Sequence, residues 1–61
     1  MITEPNQSDP DTFYAALVAA HEGLSEAASA DYNARLLLLL ANQIGDTQVL
    51  LQCIAAASEV A

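Results

Sequence analysis

Any chemistry in this chain would have to come from one histidine, one arginine, one cysteine and a scatter of acids, serines and tyrosines. His21 could serve as a general base or a metal ligand. The first role needs a nucleophile within reach, and the second needs several ligands at regular spacing. Neither a His-x-x-x-His pair nor paired carboxylates accompany it in sequence, so capping or packing at a helix C-terminus is the better reading. Arg35 could hold a small anion. It also follows Asp31 by four residues, the favourable order for an acid–base pair on one helix, and Asp9 or Asp11 could reach it from another element. A structural pair is therefore expected there. Cys53 falls on an apolar stripe and reads as an inert core thiol; as the only cysteine it forms no disulfide within the chain.

Ser8, Ser25, Ser29 and Ser58 offer hydroxyls, but none sits in a nucleophile motif. The Asp-Ser-Leu string by which an acyl carrier holds its phosphopantetheine arm is absent. Asn33 and Asn42 are mediocre helix formers, expected to bond nearby backbone or to fix an interface. Tyr14 and Tyr32 could do the same through their hydroxyls. Catalytic, cofactor-binding and metal-ligating residues are accordingly assigned to no position. The chain reads as non-enzymatic, since 61 residues leave little room for a water-excluding site.

Charge narrows the partners. Eight acidic residues face one basic residue, for a net charge of −7. Nucleic acid and anionic membrane surfaces repel such a chain, because both require Lys or Arg to displace counterions. A basic protein surface would attract it. The plainer function of the charge is to keep a small apolar domain soluble. The start, Met1-Ile2-Thr3-Glu4-Pro5, has no cationic, apolar export pattern, and the leucine run is far shorter than the ~20 residues of a membrane span. A cytoplasmic, reducing setting is expected.

The elements that would position these residues are legible from their punctuation. Residues 1–8 are polar and aperiodic, a flexible lead-in to a three-helix domain over 9–61. Asp9-Pro10-Asp11 starts a helix by cap, ring and charge together. Phe13, Leu17, Ala20 and Leu24 form its stripe, and Gly23 is expected to end it, with Leu24 sealing the cap. Ser25 caps a second helix that runs about 19 residues without Gly or Pro and stops at Gly45. Asp46 caps a third, Thr47 to about Glu59, with Val49, Leu50, Cys53, Ile54, Ala57 and Val60 apolar. Connections this short predict an all-α, antiparallel three-helix bundle with a long central helix.

That central helix carries Leu36-Leu37-Leu38-Leu39-Leu40-Ala41. Successive residues turn by about 100°, so the leucines point to every side. Two neighbouring helices cover two flanks, which leaves one or two leucines outside with Tyr32 nearby. Tyr32, Leu36, Leu38, Leu39 and Ile44 are the expected interface. A compact domain of this mass exposes about 3,800 Å² and is only marginally stable on its own core. Three outcomes fit: a tightly packed monomer with all five leucines internal, a homo-oligomer (a dimer first), or docking on a larger partner.

The strings Asp9-Pro10-Asp11-Thr12-Phe13-Tyr14, Ala20-His21-Glu22-Gly23-Leu24-Ser25, Asn33-Ala34-Arg35-Leu36 and Leu38-Leu39-Leu40-Ala41-Asn42-Gln43-Ile44-Gly45-Asp46 together resemble a bacterial family of short proteins, domain of unknown function 2783. The resemblance spans Asp9 to Ala57. It implies no activity and no functional residues. It does imply a genomic setting beside flavin-dependent aromatic hydroxylases and other catabolic enzymes, and hence an accessory role toward such an enzyme. Gln43 departs from the family pattern, which is associated with histidine there.

The expected function is a non-enzymatic interaction or accessory subunit, acting through an apolar helix face by self-association or by docking on a catabolic enzyme. The alternative is a small-ligand or anion binder, with Arg35, His21 and Tyr32 lining a pocket between helices. His21, Asn33, Arg35 and Asn42 are the polar positions through which ligand or structural contacts would run.

Overall fold

Each helix begins where a short polar side chain can satisfy free backbone N–H groups. The computed structural model describes residues 1–60, with side chains to Glu59. It places α1 at Pro10–His21, α2 at Glu26–Ile44 and α3 at Thr47–Val60, an all-α chain with no strand among the described residues. Asp9 Oδ1 accepts from the Thr12 N–H at 3.1 Å, and Oδ2 accepts from the Thr12 hydroxyl at 2.7 Å. Ser25 Oγ accepts from the Ala28 N–H at 3.1 Å. Asp46 Oδ1 takes both the Gln48 and Val49 N–H groups, at 2.9 and 3.3 Å. These are the orphan donors that every helix start presents.

The helix ends differ from one another. Gly45 closes α2 in the left-handed conformation, φ +76°, and its N–H reaches the Ala41 carbonyl at 2.8 Å. α1 ends just ahead of Gly23, as that glycine predicts. Its last helical residue is His21, and Glu22 turns extended (φ −61°, ψ 132°) while its N–H still reaches the Ala19 carbonyl at 3.2 Å. Gly23 then takes φ +77° within the turn, and the Leu24 N–H bonds the His21 carbonyl. The Gly-specific conformation is where it was expected, two residues past the last helical one.

Packing is thin. No described residue is fully buried; the innermost are half-buried. Those positions nevertheless follow helical spacing: Leu17, Ala20 and His21 on α1, Ala28, Ser29, Tyr32, Leu36 and Ala41 on α2, and Val49, Leu50, Cys53 and Ala56 on α3. The apolar set read for α3 also included Val60, whose side chain lies outside the described residues. α2 and α3 pack against each other over a short stretch. The chain exposes 5212 Å², about 1,400 Å² more than the scaling law assigns to a compact domain of this mass. Its radius of gyration is 13.1 Å, against about 10.5 Å for a compact chain of this length. Residues 1–8 form no regular element, and Met1 lies on α3, its amine 2.9 Å from Gln52 Oε1 and its Sδ 3.4 Å from Cys53 Sγ.

Three outcomes follow. A Cβ at Gly45 would meet only ordinary contact (Asn42 O at 3.9 Å), so Gly45→Ala should cost about 1 kcal/mol through backbone conformation alone. Ser25→Ala should cost about as much through the lost cap, and chemical denaturation measures both. The Asp9 carboxyl is held below its ordinary value, first by the Thr12 hydroxyl and then by the Thr12 N–H. A depressed folded value means this cap contributes fully above the unfolded carboxylate range and is lost as pH falls through the folded value. Backbone NMR shifts should therefore show α1 fraying from its start as pH falls below the ordinary carboxylate range, more than the Ser25-capped start of α2 does. Equal behaviour of the two starts would contradict the assignment.

Candidate functional site: an open apolar groove

Two features stand out, one polar and one apolar. The polar one joins the end of α1 to α2. His21 Nδ1 lies 2.8 Å from the Leu17 carbonyl one turn back, and Nε2 lies 2.9 Å from Asn33 Oδ1. A backbone carbonyl only accepts, so Nδ1 carries a proton. With the amide oxygen facing it, Nε2 donates as well, which is the imidazolium; for the neutral ring the Asn33 amide turns over and donates to Nε2. Tyr32 meets the same ring edge-on, with centroids 5.0 Å apart at 73°. His21 thus acts as a bracket between helices, with its two nitrogens already engaged. No group of three His, Cys, Asp or Glu side chains gathers anywhere among the described residues.

Arg35 does not behave as expected. It is exposed, and among the described residues neither it nor Asp31 makes a side-chain hydrogen bond or ion pair. Asp9 spends both oxygens on Thr12 instead, and Asp11 is exposed. The physical reason is that an exposed ion pair contributes too little to offset the entropy of fixing two side chains. Asn42 is likewise exposed and makes no side-chain bond among the described residues, unlike Asn33. Tyr14 stands out in solvent.

The apolar feature is a groove of about 680 Å³ between α2 and α3. Leu37, Leu38 and Ala41 form one wall, and Leu50, Cys53, Ile54 and Ala57 form the other, with Ser58 at one edge. Ser58 contributes no free donor, because its hydroxyl is bonded back to the Ile54 carbonyl at 3.1 Å. The walls carry no charge. Leu37, Leu38 and Ile54 remain 67%, 71% and 64% exposed, so the groove is open rather than a closed cavity.

Of the expected interface residues, only Leu38 lines this groove. Leu36 and Tyr32 are half-buried, with Tyr32 against the His21 bracket, while Leu39 and Ile44 are exposed outside the groove. Arg35, His21 and Tyr32 do not line it. The α3 wall was missed as a site because its apolar stripe read as core. The signal lay in the bulky residues of that stripe, Leu50 and Ile54, which face a helix already too apolar for its neighbours to cover.

If His21 and Asn33 bracket α1 to α2, a double-mutant cycle on His21→Ala and Asn33→Ala should give a coupling of about 1 kcal/mol. Strictly additive losses in urea unfolding would show that the two side chains act independently.

A family model described as "Protein of unknown function (DUF2783)" matches residues 1–59, so the match takes in the lead-in as well as the helices. Neither the curated proteins nor the solved structures contain a match to the chain.

Proposed function

The chain belongs to the DUF2783 family, for which no activity is described, and on that premise we propose that it is a non-enzymatic association module that works through the α2–α3 apolar face. The observation that carries this reading is the exposure of Leu37 and Leu38 beside Ile54 on an uncharged groove. Burying one leucine is worth roughly 1.5–3 kcal/mol, so a surface that covers this face would supply stability the thin packing of the single chain lacks. The antiparallel bundle expected from the short connections is, in this reading, completed in the assembled state. The module works in the cytoplasm, and a catabolic enzyme such as a flavin-dependent aromatic hydroxylase is one class of surface it would dock on. No helix among the described residues is long and apolar enough to cross a membrane.

A ligand site centred on Arg35 and His21 has less support. His21 is committed to Leu17 and Asn33, and Arg35 lies off the groove.

Affinity purification from the native cell, with wild-type and Leu38→Glu baits side by side, tests the association reading. Every specific partner held by the wild type, another copy of the chain included, should be lost from the variant bait. Helical circular dichroism should persist in that variant. Identical recovery with both baits would refute the assignment of this face.

A further inference from the structure

We propose that the occupant of the α2–α3 groove is a second copy of this chain, the two grooves meeting face to face about a two-fold axis. This rests on the association reading and deepens it by naming the partner.

Area is the first argument. The chain exposes about 1,400 Å² beyond the compact expectation, whereas a stable interface needs about 800 Å² from each partner. The excess is a whole-chain figure that includes the exposed residues 1–8, and it is of the size that such an interface needs. Two α2–α3 pairs brought together make a four-helix arrangement in which each Leu37–Leu38 wall gains an apolar neighbour.

Charge is the second. Between Leu36 and Ser58 the only charged residue is Asp46, and the other seven acids lie outside that stretch. Two chains of net charge −7 repel each other, so they can associate only through a surface that keeps their acids apart. The groove is such a surface. A basic partner would instead be expected to meet the acids, which sit mainly before Leu36.

Sedimentation equilibrium of the purified full chain over a wide concentration range tests this, with the alkylation rate of Cys53 followed in parallel. The expected result is a reversible shift from 6.4 kDa to twice that mass, with Cys53 reacting at least about tenfold more slowly in the dimer because it lines the covered groove. Raising salt should tighten the dimer, since it screens like charges. Leu38→Glu, present twice per dimer, should weaken it by at least about 100-fold. Leu39→Glu, outside the groove, should change it less than about threefold and controls for folding.

A monomer at every concentration would overturn the second copy as occupant. The bait comparison would then decide the association reading on its own: partners lost from Leu38→Glu would leave that reading standing, and unchanged recovery would remove both. A dimer whose Cys53 stays as reactive as in the monomer would overturn the groove as its interface. So would a dimer that loosens in salt, or a trimer or larger closed ring.

Discussion

Apolar circumference is the constraint on which this structure turns. A helix packed beside two others has two sheltered flanks, and α2 carries five successive leucines that occupy more than two. The neighbours make the shortfall worse. α1 and α3 are rich in alanine, which allows close approach but contributes little side-chain volume to a core. The result is a chain in which no described residue is fully buried and whose second and third helices hold an open groove between them. Helices of 12, 19 and 14 residues lie near the length at which isolated helices are marginal in water, so packing has to supply what propensity does not.

What holds the single chain in shape is mostly local. Asp9, Ser25 and Asp46 satisfy the helix starts, and left-handed glycines turn the chain at both connections. Against these, few long-range side-chain contacts stand out. His21 brackets α1 to α2 through Asn33 and Tyr32, and Met1 rests on Gln52 and Cys53 of α3. The helices are therefore well specified one by one, and their mutual arrangement is specified much less strongly. Charge is segregated along the same lines. Most acids precede Leu36, and the stretch that forms the groove carries only Asp46.

Helix positions were legible because caps and glycines act over three or four residues. Ser25 and Gly45 bound α2 as their types predict, and Asp46 starts α3. Gly23 likewise marks the end of α1, because a glycine shows where the chain turns left-handed, directly after the cap Glu22. Arg35 and Asp31 had the right spacing for a pair, yet spacing only permits a contact, and no ion pair joins them among the described residues. Asn33 and Asn42 looked equivalent in sequence. Only Asn33 has a partner, because the α1–α2 turn brings His21 beside it.

The order of residues alone determined three helices, their starts, their acidity and an excess of leucine on the middle one, since each of these depends on neighbours a turn or less away. Tertiary structure decided which leucines line a shared surface. Leu37 and Leu38 join Cys53 and Ile54 across the groove, while Leu39, one residue on, is left outside it. A rotation of about 100° per residue separates these fates, and the direction in which α3 leaves Gly45 determines which side of α2 it faces. That direction belongs to the geometry of the turn and to packing between helices, which periodicity along a single helix does not encode.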